Sequence, residues 1–250
     1  AGAPSRELRV ARPEFTETGQ DEYATLVRTA LDKLGKAKAE ANTGLRLQWA
    51  APDEDADVRL LYPLRSKSGK RNPADKNHLW LASPDGRVVT SGPRRTPSVA
   101  LLDEDGELRS PQELQSALTQ SLTRMARVTN LLRLGRVFGP GQSGLEAELR
   151  LKDGDSGRFS SYRGDGPPPR VEPGDEVHIT VRNPTDQTMD VNVLFVGSDY
   201  SITHMFPRTG QQAEARLQPD EALEKGLIRI TDTSLGAEHV LVIATPGREH

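Results

Sequence analysis

The sequence predicts an α+β chain: a small α/β part with an antiparallel sheet and a long helix, then an antiparallel β-sandwich. Three observations carry this expectation. Apolar residues recur at helical spacing in two segments, near 21–40 and 110–135, and short alternating runs lie between them. Beyond them, short apolar runs separated by turn residues continue to the end with no helical period. Gly139-Pro140-Gly141 falls between the two patterns and reads as a hinge, so the expected parts are 1–138 and 142–250.

Residues 1–20 show no periodicity to place. The first helix follows, with Tyr23, Leu26, Val27, Ala30, Leu31 and Leu34 on one stripe and Gly35 fraying its last turn. Four runs then read as strands of a small antiparallel sheet: LRLQWA from Leu45, DVRLLYPL from Asp57, HLWLAS from His78 and RVVT from Arg87. Pro84-Asp85-Gly86 has the composition of a hairpin turn. The second helix opens at Ser110-Pro111-Gln112-Glu113, with Ser at the cap, Pro at the first helical position and Glu three residues after the cap. Leu114, Leu118, Leu122, Met125, Val128, Leu131 and Leu132 continue its stripe to Leu134, and Gly135 is the expected stop.

The second part starts with a strand, LEAELRLKD from Leu145, and a polar stretch that ends in Pro167-Pro168-Pro169-Arg170, which cannot join a central strand. The turn Pro173-Gly174-Asp175 leads into EVHITVRN, where Val177, Ile179 and Val181 alternate with His178, Thr180 and Arg182. In VNVLFVGSDYSITHMFP, Val191, Val193 and Phe195 share one face and Asn192, Leu194 and Val196 the other, as expected of a central strand covered on both sides. The strand after its turn is expected to point Ile202, His204 and Phe206 inward. AEARLQP, EKGLIRITDT and EHVLVIAT supply the remaining strands.

Composition excludes several function classes. Lys and Arg number 33 against 36 Asp and Glu, a net charge of −3, so no nucleic-acid partner is expected. With hydrophobic residues at 34% and aromatics at 4%, the cores must be thin and rest on Leu, Val and Ile. No apolar run approaches the ~20 residues that span a bilayer, so no membrane partner is expected either. Cysteine is absent, which rules out a thiolate nucleophile or thiolate metal site in this chain. The chain begins AGAPSRELRV without an initiator Met, so a fragment of something longer is expected.

Candidate chemistry is sparse. His78, His178, His204, His239 and His250 form no HxH or HxxxH pair, and no metal or cofactor is expected. There is no GxSxG, no GxxxxGK[ST] and no GxGxxG before a helix. Asp199 and His204 flank a turn where they could meet, which leaves an independent hydrolase with a noncysteine site as one alternative. No nucleophile is placed beside them, however, and no catalytic residue is assigned. A structural, adhesion-type sandwich is the other alternative. Arg163-Gly164-Asp165 is too short a motif to carry a function. Exposed loops on rigid sheets commonly carry binding, which singles out Ser198, Asp199 and Tyr200 at the hairpin tip and Arg163 and Arg170 in the Pro-rich loop as partner contacts. Two basic loops, with Lys70-Arg71 and Arg94-Arg95, read as candidate processing sites for a basic-specific protease.

The series VEPGDEVHITVRN, MDVNVLFVGSDYSITHMFP, ARLQPDEAL and GAEHVLVIAT, from Val171 to Thr245, resembles the C-terminal β-sandwich module of bacterial caspase-like peptidases, relatives of the metacaspases. ARVTNLLRL, from Ala126 to Leu134, is similar to the helix that precedes that module. The family's catalytic domain uses a His and Cys dyad, and nothing here can receive it. The resemblance therefore implies a non-catalytic regulatory or substrate-recognition region, excised or self-processed, of a cytoplasmic bacterial endopeptidase in regulated proteolysis, antiviral defence or cell death. The peptidase domain of the same parent protein, protein substrates and an upstream regulator are the partners it implies.

Overall fold

The computed structural model describes residues 6–15, 21–36, 45–62, 77–92, 95–137, 144–164, 166–231 and 237–247. The fold is α+β, and the chain divides into two compact units, Ala1–Leu131 and Leu132–His250.

In the first unit the strands are β1 (Arg6–Ala11), β2 (Leu45–Ala50), β3 (Val58–Leu61), β4 (His78–Ala82) and β5 (Ser98–Ala100), in spatial order β2-β1-β3-β4-β5. Pairing is antiparallel from β3 to β5, as expected, but β1 runs parallel to both β2 and β3, so the sheet is mixed. The unanticipated β1 has a strand alternation, with Leu8 and Val10 fully buried and Glu7 and Arg9 exposed. RVVT forms no strand. Val89 instead pairs with Thr96, its N–H donating to Oγ1 at 2.9 Å and its carbonyl accepting from the Thr96 N–H at 2.8 Å. The Pro84-Asp85-Gly86 turn does form, with Gly86 at φ 68° in the left-handed region.

Helix α1 (Glu22–Lys36) buries Leu26, Val27, Ala30, Leu31 and Leu34, the stripe read from the sequence. Asp21 caps it, its Oδ1 accepting the Tyr23 N–H at 3.1 Å. Helix α2 (Pro111–Val137) is opened by a reciprocal box: Glu113 Oε2 accepts the Ser110 N–H at 2.8 Å and Ser110 Oγ accepts the Glu113 N–H at 3.3 Å. The backbone hydrogen bond from Ser110, then that from its side chain, holds the Glu113 carboxyl below its ordinary range. Leu114, Leu118, Leu122, Met125 and Val128 are buried along α2, while Leu134 is exposed. The helix continues through Gly135 to Val137, and the division between the units falls inside it.

The second unit contains two antiparallel sheets. One joins β12 (Ala222–Arg229), β8 (Glu176–Arg182), β6 (Glu146–Lys152) and β7 (Phe159–Tyr162) in that order. In the other, β9 (Met189–Val196) is central: β13 (His239–Pro246) pairs along one edge, and β10 (Ile202–Phe206) and β11 (Arg216–Leu217) share the opposite edge. Their inner faces meet in one core that includes Val177, Ile179 and Val181 of β8 and Val191 and Val193 of β9. Each such side chain contributes roughly 1.5–3 kcal/mol by leaving water.

Strand β10 departs from its expected orientation. Phe206 is buried, but Ile202 is 41% exposed and His204 is also exposed. The cause is a bulge: His204 pairs with Leu194 and Phe206 with Val193, so Met205 is an extra residue and facing reverses across it. Strand β9 is covered unevenly: Met189, Val191, Val193 and Val196 are buried, while Asn192, Leu194 and Phe195 are half-buried.

Polar groups bracket β8. Before it, Asp175 Oδ1 accepts the Gly154 N–H at 2.9 Å and Oδ2 accepts the Glu172 N–H at 2.8 Å. A Cβ at Gly154 would lie 2.6 Å from the Gly174 backbone, so this close approach requires glycine. After it, Asn183 is 0% exposed, and its amide nitrogen donates to the carbonyls of Gln187 (2.8 Å), Leu217 (3.1 Å) and Gln218 (3.1 Å). Its amide oxygen accepts from the Thr185 N–H at 3.1 Å and the Thr185 hydroxyl at 2.6 Å.

Asn183→Asp keeps the shape and removes the donors, leaving a buried carboxylate facing carbonyls. The expected cost is about 3 kcal/mol at neutral pH in urea unfolding, at the upper end for an orphaned buried group. The introduced carboxyl has a raised folded-state pKa, so the deficit should shrink as pH falls and the group becomes protonated.

Candidate functional site

The hairpin tip between β9 and β10 is built by its own side chains. Gly197 and Ser201 close the loop through a backbone bond of 3.0 Å from the Gly197 N–H, and the Tyr200 N–H donates to the Gly197 carbonyl at 3.0 Å. Asp199 Oδ1 accepts the Ser201 N–H at 3.0 Å. A Cβ on Gly197 would sit 2.6 Å from Asp199 Oδ1 and 2.7 Å from Ser201 Oγ, so these side chains occupy the space that the glycine leaves open. Tyr200 adopts φ 63°, a left-handed conformation costing a non-glycine residue roughly 1–2 kcal/mol. Burial pushes its phenol pKa up, and the hydroxyl stays protonated at neutral pH. Asp199 is exposed, whereas Ser198 and Tyr200 are half-buried.

Asp199 and His204 do not form a pair. His204 Nε2 lies 3.1 Å from Asn192 Oδ1 on the neighbouring strand, and from Ser201 to His204 the strand advances roughly 10 Å. Because an amide oxygen can only accept, Nε2 is the donor in this contact.

In the Pro-rich loop, Arg163 pairs with Glu148 at 3.1 Å with most of its side chain in solvent, an arrangement of little energetic weight. The Ser161 hydroxyl, then Arg163, holds the Glu148 carboxyl below its ordinary range. Tyr162 Oη donates to the Gly166 carbonyl at 2.9 Å and closes the loop base, and Arg170 is exposed. Asp165 lies outside the described residues, as do Lys70, Arg71 and Arg94.

Arg95, the described member of the basic loops, is engaged. Its N–H donates to the Gly92 carbonyl at 3.0 Å, and its guanidinium lies 5.5 Å from the centroid of the Trp80 ring. Its Nη2 also approaches His78 Nε2 at 3.4 Å, and Ser98 Oγ lies 3.3 Å from His78 Nδ1. This group was not foreseen from the sequence because the pairing of Trp80 with Ser98 across β4 and β5 assembles it. A serine beside a histidine invites a nucleophilic reading, but the donors oppose it. An arginine N–H can only donate, so Nε2 accepts, Nδ1 carries the proton, and the imidazole gives a hydrogen bond to Ser98 instead of taking its proton.

On the outer face of the β12-β8-β6-β7 sheet, His178 lies against Glu176 at 3.4 Å and edge-on to Phe159 at 5.3 Å, as its alternation with the inward Val177 and Ile179 implies. Among the described residues no group of three His, Asp or Glu side chains could hold a metal ion, and no helix is long and apolar enough to cross a membrane.

These features define a two-unit α+β protein whose second unit is an antiparallel sandwich with an internally braced hairpin tip. No family model, curated protein or solved structure matches the chain.

Brief trypsin digestion of the folded chain should leave the Arg95–Thr96 bond intact, because the amide N–H groups on both sides are hydrogen-bonded. Mass spectrometry of the first fragments checks this, and early cleavage after Arg95 would count against it.

Proposed function

We propose that this chain is the non-catalytic C-terminal regulatory or substrate-recognition region of a bacterial, cytoplasmic caspase-like peptidase. It docks through the sandwich on the peptidase domain of its parent protein or on that domain's substrates. One observation carries the reading: the segments of the family resemblance coincide with the joints of the sandwich. Pro173-Gly174-Asp175 forms the tie before β8, Phe206-Pro207 ends β10, and the HVLVIAT segment is β13 along the edge of β9. The absence of cysteine from the chain supports assigning the reaction to another domain.

The test is to read the gene upstream of Ala1, express the domain found there, and measure its binding to this chain. A domain with a His and Cys dyad is expected, with binding that Tyr200→Gly weakens at least about fivefold, roughly 1 kcal/mol. Glycine suits φ 63°, so this variant removes the side chain without straining the turn. A parent gene lacking such a domain, or one whose domain does not bind, would refute the proposal.

A further inference from the structure

A sheet edge left unprotected invites pairing with another strand, and soluble proteins manage their edges with charge, bulges, proline or short length. The described edges of this protein follow that rule with one exception. β5 has three residues and β7 four. The edge opposite β13 is split between β10 and β11, with a bulge between His204 and Phe206. β12 carries Glu224, Lys225 and Arg229 and is bulged between Gly226 and Ile228. β2 carries the exposed Arg46.

Strand β13 has none of these devices along its edge, although the end of α2 reaches its outer face, where a Cβ at Gly135 would lie 3.3 Å from Leu241 Cδ2. It is eight residues long, pairs with β9 throughout without a register shift, contains no Asp, Glu, Lys or Arg, and meets proline only at its last position. No described strand pairs with its second edge. Its side chains show the same incompleteness. Val240, Val242 and Ala244 pack against the sandwich core yet are only half-buried, whereas Val191 and Val193 on the doubly paired β9 are at 0% exposure. On the opposite face Ile243 is 37% exposed.

We propose that the second edge of β13 is a self-association surface on which β13 of a second copy of this chain adds antiparallel across a two-fold axis. The lack of charged side chains favours a second copy as the occupant, because two-fold pairing then sets no like charges opposite one another. Centred on Val242, the pairing places Leu241 of each copy beside Ile243 of the other and Val240 beside Ala244. It covers the apolar residues that the isolated sheet leaves open. Eight residues a side is small against the ~20–30 of a standard interface, so the association is weak and reversible.

Sedimentation velocity from about 1 to about 300 µM tests this, a range suited to micromolar affinity. The mass should rise from 27.4 kDa toward twice that value, Ile243→Lys should raise the dissociation constant at least about tenfold, and Ile243→Val should behave as the parent chain does. Hydrogen exchange on the unmodified chain supplies a readout that needs no variant, since β13 amides should exchange more slowly as concentration rises. A constant monomer mass over the range overturns the proposal. So does self-association that leaves β13 amide exchange unchanged, or that persists undiminished in folded Ile243→Lys.

Discussion

The sandwich depends on the fixing of β8 at both ends. β8 is central to its sheet, paired with β6 on one side and β12 on the other, and its Val177, Ile179 and Val181 form the middle of the core. A slip of one residue would turn all three toward water. The apolar pattern alone resists such a slip only as strongly as the core is deep, and in a chain that is 34% hydrophobic the core is thin. Asp175 and Asn183 add a second restraint, each joining loops far apart in sequence: 154 to 172–175, and 183–187 to 217–218. Exact satisfaction of buried polar groups discriminates between registers, because a shifted register leaves donors or carbonyls without partners.

Much of this architecture was legible in the sequence wherever the signal was local. The two helical stripes, the Ser110–Glu113 box and the alternation in EVHITVRN depend on neighbouring residues, and each has the expected form. Signals failed where distant pairing decided the outcome. The alternation of Leu8 with Val10 was present but short, and it became a strand through parallel partners 39 and 48 residues away. RVVT had the right composition, yet the chain reached β4 through Ser98–Ala100 instead. The bulge at Met205 left no compositional trace and reversed the facing of Ile202 and His204. The candidate site fared similarly: its residues were named from exposure of the turn, but the tasks of Asp199 and Gly197 within that turn emerge only from its geometry.

The residues on which the sequence resemblance rests are occupied in building the second unit. Asp175 spends both carboxylate oxygens on backbone N–H groups, Phe206 is core, and β13 holds the whole length of β9. Residues committed to the fold in this way say little about binding, which falls to positions the architecture leaves unconstrained.

The two outer faces of the sandwich differ in what they can offer a partner. The face of the β12-β8-β6-β7 sheet is laced with ion pairs: Arg150 with Glu224 at 2.7 Å, Lys152 with Glu176 at 3.1 Å and Arg182 with Glu146 at 3.6 Å. Exposed pairs of this kind stabilise the fold little, but a partner covering them would have to remove their hydration. The outer face of the β9 sheet carries one such pair, Arg216 with Asp190 at 2.9 Å, and otherwise presents Ile202, Leu194 and Ile243 around the Asn192–His204 contact. The hydrophobic effect therefore favours association on the β9 side over the ion-paired side. The hairpin tip and the β13 edge both belong to that sheet, on the side where fewer ion pairs stand to be desolvated.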